Sequence, residues 1–177
     1  MFPLLALIAS LMSAQASPVS VEKLSTPEKA LRFEVVVPAS VDEVWDAIGT
    51  KAGMETWIWR EARVDLKPGG EWTVVYTPTA TGGGTIVSLV PKQQIVMRAM
   101  APEQFPTVRK ERTVATWGFE SLGARSTKVT LVQTGWKTGP EWDAAYEYLS
   151  KGNAQLLTQL RQRFVTGPID WSKLKQD

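Results

Sequence analysis

The residues on which most acid–base, thiol and zinc chemistry depends are missing from this chain, which contains neither histidine nor cysteine. That removes thiol nucleophiles, disulfides, a serine–histidine triad and the common zinc sites. Catalysis would have to run on Asp, Glu, Lys, Arg, Tyr or water. Glu55, Glu61, Asp65 and Glu71 lie close in sequence, but no spacing among them marks a metal site or an acid–base pair, and they read as solvated strand-edge charges. Gly82-Gly83-Gly84 is not followed by Gly-Lys-Ser/Thr and opens no helix, so it is not a phosphate loop and reads as a mobile hairpin tip. We identify no catalytic residue and expect no metal and no cofactor.

The chain offers recognition groups instead. Eight tryptophans are many for 177 residues; such side chains pack cores and also line ligand cavities. Asn153 stands on an apolar stripe, where its amide needs backbone, water or ligand as a partner. We expect water or ligand. Arg98 lies in an otherwise apolar stretch, pointing either to solvent or inward to hold an acidic ligand.

These groups must be positioned by a small set of elements. Trp142, Ala145, Tyr146, Leu149, Asn153, Leu156, Leu160 and Phe164 recur every three or four residues, which predicts a long amphipathic helix over Gly139 to Phe164. Gly139 caps it and Pro140 sits at its first position, where a missing N–H costs nothing. Earlier, Leu31, Phe33, Val35 and Val37 alternate as a half-buried strand closed by Pro38. Ser40 and Glu43 form a capping box ahead of Val41, Val44, Trp45 and Ile48, and a second short helix is expected around Lys51 to Trp57. Turn signals then separate strands at Arg63 to Leu66, Glu71 to Thr77, Thr85 to Val90, Gln94 to Met100, Arg109 to Ser121 and Thr127 to Thr134. Pro78 to Gly84 is expected to be a flexible tip. The fold class is α+β: an antiparallel sheet of six to seven strands, two short helices after the first strand, and a long C-terminal helix.

Hydrophobic residues make up 44% of the chain and the net charge is +2, values ordinary for one domain with a full core. Basic and acidic residues nearly balance, at 20 and 18, with no basic run, so nucleic acid is not an expected partner. The apolar run Leu4-Leu5-Ala6-Leu7-Ile8-Ala9, ending in Ala14-Gln15-Ala16, is too short to span a membrane and reads as a signal peptide over residues 1–16. It implies a secreted or periplasmic protein with no transmembrane anchor after processing. Residues 17–30 read as a lead-in without periodicity, 31–166 as the domain, and 167–177 as a tail released by Gly167-Pro168.

The order of these elements resembles the helix-grip fold of the START-like, or SRPBCC, superfamily. Val37-Pro38-Ala39-Ser40 with Val44-Trp45-Asp46-Ala47 looks like its opening strand and helix. Asp65-Leu66-Lys67-Pro68-Gly69-Gly70 is similar to its glycine-pair hairpin, and Gly84-Thr85-Ile86, Thr127-Lys128-Val129-Thr130-Leu131 and Gly135-Trp136 keep its order. The match covers roughly Leu31 to Phe164 and looks like the branch named after homologues of the ATPase activator of the ninety-kilodalton heat-shock chaperone. Many relatives carry an aromatic after the mid-helix glycine, whereas here Gly152 precedes Asn153.

The resemblance implies a curved sheet gripping the long helix, with a cleft between them. Strand alternation and the helical stripe nominate Trp72, Tyr76, Met97, Trp117, Phe119, Leu149, Asn153 and Leu156 as its ligand-binding residues, with Val74 beside them; Trp59 and Arg98 join the candidates, although alternation sets Arg98 opposite Met97. Phe33, Val35, Val129 and Leu131 are expected to be solid core. The expected partner is a small, largely apolar molecule. A protein partner on the sheet's outer surface is the second reading, and a metal-free cyclase or hydrolase the third.

Overall fold

The computed structural model describes residues 18–174; the run read as an export signal lies outside the described residues. Strands β1 (Val19–Leu24) and β2 (Ala30–Val37) lead into helices α1 (Val41–Gly49) and α2 (Lys51–Met54). Strands β3 (Ala62–Val64), β4 (Glu71–Thr77), β5 (Ala80–Val90) and β6 (Gln94–Met100) follow. Helix α3 (Pro106–Glu111) precedes β7 (Thr113–Gly123) and β8 (Ser126–Thr134), and helix α4 (Pro140–Thr166) ends the domain. All strands join one antiparallel sheet in the order β1-β2-β8-β7-β6-β5-β4-β3.

Alternation sets the inner face. Phe33 pairs with Leu131 and Leu131 with Trp117, while Val35 pairs with Val129 and Val129 with Phe119, so apolar side chains from three neighbouring strands stand in rows on one side. Helix α4 lies across this face and buries Tyr146, Leu157 and Leu160. It is fastened at the β1–β2 end: the Tyr146 hydroxyl donates to the Ala30 carbonyl at 2.9 Å, and Lys23 and Lys29 pair with Glu147 and Asp143. Helix α1 begins with the expected capping box, the Glu43 N–H donating to Ser40 Oγ while the Ser40 N–H donates to the Glu43 carboxylate. At its other end the indole N–H groups of Trp57 and Trp72 donate to the Ala47 and Ile48 carbonyls at 2.8 and 2.7 Å. Helix C-termini leave such carbonyls without partners, so these two tryptophans act as long-range caps.

The structure departs from the expected layout in four places. Residues 19–24, read as part of a lead-in, form β1, an eighth strand. Its side chains are mostly exposed, so an edge strand with little to bury shows little alternation. Gly82, Gly83 and Gly84, read as a mobile tip, lie inside β5, paired with β4 and β6. A side chain there has no room: a Cβ on Gly83, at φ +111, would fall 1.9 Å from the Trp72 carbonyl oxygen, and one on Gly84 2.3 Å from that of Arg98. Residues 106–111, partly read as strand, form α3. Its N-terminal N–H groups at Thr107 and Val108 donate to the Glu141 carboxylate at 2.6 and 3.0 Å, a cap supplied by α4 from 33 residues away. The tail docks through a 3-10 turn at Trp171–Lys173, with the Ile169 N–H on Thr56 O and the Trp171 indole on Glu55 O.

Candidate functional site

Large side chains do not fill the whole space between sheet and helix. A cavity of about 550 Å³ opens between β4–β8 and the middle of α4. Small residues are concentrated around it: Ala80 and Gly82 on β5, Ala99 on β6, Ala115 on β7 and Gly152 on α4 line it. A Cβ built on Gly152 would meet nothing within 4 Å. Interiors pack to near crystal density, and this part of the apolar face departs from that density.

Seven of the ten nominated residues line the cavity: Trp72, Tyr76, Met97, Trp117, Leu149, Asn153 and Leu156. Trp72 and Trp117, with ring centroids 6.1 Å apart, supply an aromatic wall, and Met97, Leu149 and Leu156 the aliphatic surfaces facing them. Val74 joins them. Leu131, expected to be solid core, also faces the space.

The other three stand elsewhere. Arg98 is exposed on the outer face and donates from Nη2 to the Glu111 carbonyl at 2.9 Å; alternation turned it away because Met97 and Ala99 take the inner positions. Phe119 packs edge-on against Trp45 at 5.4 Å, beneath α1. Trp59 lies behind the rim. Its ring meets Tyr76 at 5.6 Å and Trp171 at 5.5 Å, and its buried indole N–H has no hydrogen-bond partner among the described residues.

Asn153 also requires a correction. One of its amide hydrogens already has a fixed protein partner: Nδ2 donates to Gln133 Oε1 at 2.9 Å, and Gln133 Nε2 donates to Thr113 Oγ1 at 2.7 Å. Gln133 and Thr113 are 3% and 2% exposed, so a polar chain crosses the inner face and ends at the cavity wall. Gln133 was legible in principle, being in phase with Val129 and Leu131 on β8.

The mouth is polar and held in place. Arg109 Nη1 donates to the Thr81 and Ala101 carbonyls at 3.0 and 2.6 Å, and Nη2 to Thr81 Oγ1 at 2.9 Å. Glu103 Oε1 lies 3.0 Å from Arg109 Nη2 and accepts from the Thr81 N–H at 2.9 Å. Burial opposes the charged form of Glu103, but the Thr81 N–H and the Arg109 guanidinium outweigh it and hold its carboxyl below the ordinary value. Burial pushes the Tyr76 phenol above its ordinary value, with Tyr148 and Glu103 adding to the effect. Tyr76 therefore stays protonated at neutral pH. A carboxylate held ionised beside an arginine is a poor general acid, and Tyr148 is the second phenol on the wall.

The profile of the family described as Activator of Hsp90 ATPase homolog 1-like protein matches residues 38–164. A search among curated proteins finds no match by sequence. Among solved structures, the chain is similar to the Aha1 dimer from Colwellia psychrerythraea, with a TM-score of 0.63 and 14% identity over 78% of this chain and 97% of that one. It is similar to MLL2253 from Mesorhizobium loti, with a TM-score of 0.65 and 16% identity over 79% and 99% of the two chains. CalU16 from Micromonospora echinospora gives 0.59 and 19%, over 86% and 84%. At such identities the likeness establishes the START-like fold.

Proposed function

The chain belongs to the Activator of Hsp90 ATPase homolog 1-like family, and from the space left under α4 we propose that it binds a small, largely apolar molecule there. The supporting observation is the cavity of about 550 Å³ walled by Trp72, Met97, Trp117, Leu149 and Leu156. Its size falls within the roughly 300–1,000 Å³ typical of small-molecule sites, and apolar walls with a few placed polar groups are their usual chemistry. The small residues around it support the same reading, because a core selected only for stability would fill such a gap. We further propose that the protein acts outside the cytoplasm, on the strength of the apolar run ending at Ala14-Gln15-Ala16.

Three measurements test this reading. Native mass spectrometry of the protein purified from the exported fraction should show a non-covalent adduct of small-molecule mass, and N-terminal sequencing should begin at Ser17. An apolar fluorescent probe should bind with one-to-one stoichiometry and be displaced by that adduct. If no probe binds and no adduct is found, a protein partner on the outer face becomes the better reading.

A further inference from the structure

We infer that the ligand of this cavity is an uncharged molecule with an apolar body and a hydroxyl group directed at Asn153, an inference that rests on the cavity being a ligand site. The first argument is electrostatic. Among the described residues Glu103 is the one charged side chain lining the space, it is ionised, and Arg109 already neutralises it. An anionic ligand such as a fatty acid therefore meets no free cation and an existing carboxylate at the mouth. A cationic ligand finds Glu103 already engaged by Arg109 and the Thr81 N–H. Burying an unpaired charge in such a place is costly, and a neutral ligand avoids the cost.

The second argument concerns the polar chain. Asn153 gives one amide hydrogen to Gln133, but among the described residues no protein donor reaches its Oδ1, and no protein acceptor takes its second hydrogen. Both atoms belong to a residue that lines the cavity. A hydroxyl can donate to Oδ1 and accept from Nδ2, matching both. Gln133 and Thr113 fix the amide from behind, so a ligand hydroxyl would meet a preorganised group rather than a mobile one. The rest of the deep wall is aromatic or aliphatic and calls for an apolar body.

The test uses the full chain and four matched probes: pyrene, 1-hydroxypyrene, 1-pyrenecarboxylate and 1-pyrenemethylammonium. Titrations are followed by fluorescence at a pH of about 6, where the carboxylic acid is ionised and the arene hydroxyl is not. The hydroxyl probe should bind about tenfold more tightly than either charged probe, and several-fold more tightly than pyrene, as one added hydrogen bond allows. In Asn153→Leu, shown to be folded by circular dichroism, hydroxypyrene should lose its advantage over pyrene; Asn153→Ala provides the same comparison with a smaller side chain that likewise has no donor or acceptor. A carboxylate or ammonium probe that binds as tightly as the hydroxyl probe overturns the inference. So does a hydroxyl advantage that survives both substitutions. If pyrene binds and no analogue is distinguished, the inference falls and the cavity reading stands; if none of the four binds, both fall.

Discussion

The inner face of the sheet has two ends built from the same strands, and they are packed to opposite standards. Away from the cavity, Phe33, Val35, Ile48, Met54, Trp57 and Val129 are 0–2% exposed, and Phe119 packs edge-on against Trp45. Under the middle of α4, Ala99, Ala115 and Gly82 stand beside Trp72, Met97 and Trp117 around the cavity, and the helix contributes Gly152. One end is filled and the other keeps a cavity of about 550 Å³. Neither strand pairing nor amphipathic patterning distinguishes them, because both ends satisfy the same alternation. Side-chain volume does. Stability should therefore reside in the first end and binding in the second, and substitutions should separate the two properties.

The largest effect should come from emptying the filled end. Phe33 is fully buried, and Phe33→Ala should lower unfolding free energy by about 3–5 kcal/mol, the transfer term plus the cavity left behind. Leu156 is only half-buried and already borders space. Leu156→Ala should cost under about 2 kcal/mol, below the usual range for a fully buried leucine, while weakening probe binding. Urea unfolding gives the first quantity and probe titration the second. Equal stability losses at the two sites would break the contrast.

Next in size is the response to added volume. Ala47 lies at the packed end, 5% exposed, and Ala115 at the open one. Ala47→Leu should overpack the region around α1 and lower stability by about 1–3 kcal/mol. Ala115→Leu should leave stability unchanged or raise it, because the added methyl groups enter existing space, and should reduce probe binding at the same time. A loss of stability at Ala115 similar to that at Ala47 would mean that the open end lacks the room its geometry shows.

How much of this was legible follows from where each signal resides. The helical stripe from Trp142 to Leu160, the capping box at Ser40 and Glu43, and the alternation through β2, β6 and β8 are local, and local patterns are what a sequence displays. Helix α3 was missed because its N-terminal N–H groups are satisfied by Glu141, far along the chain. Strand β1 was missed because an exposed edge strand needs no alternation. The glycine run was misplaced because glycine signals a turn and a close backbone approach equally well; only the neighbouring carbonyls of Trp72 and Arg98 decide between them. Among site residues, Trp72, Met97 and Trp117 followed from the pleat. The cavity itself did not, since the small residues around it belong to four separate elements that converge only in three dimensions.

The smallest expected effect is the sharpest probe of the open end, because it predicts a gain. Gly152 lies in the middle of α4, where glycine costs about 1 kcal/mol relative to alanine. Such a residue is usually retained because a neighbour presses on it, yet here an added Cβ meets nothing within 4 Å and points to the cavity. Gly152→Ala should thus raise the unfolding free energy by up to about 1 kcal/mol, with only a slight effect on probe affinity, since a single methyl occupies little of the space. Gly49, at the end of α1, provides the contrast. A Cβ there would approach Leu66 Cδ2 to 2.9 Å, so Leu66 would have to shift and Gly49→Ala should yield no gain. Thermal and urea melts of the two variants side by side measure the difference. A stabilised Gly152→Ala protein that still binds probe would indicate that the glycine is kept for the volume it leaves open. If Gly152→Ala is destabilised, the space above the sheet closes in solution, and the division of the inner face into a filled and an open end fails at the position where it should be clearest.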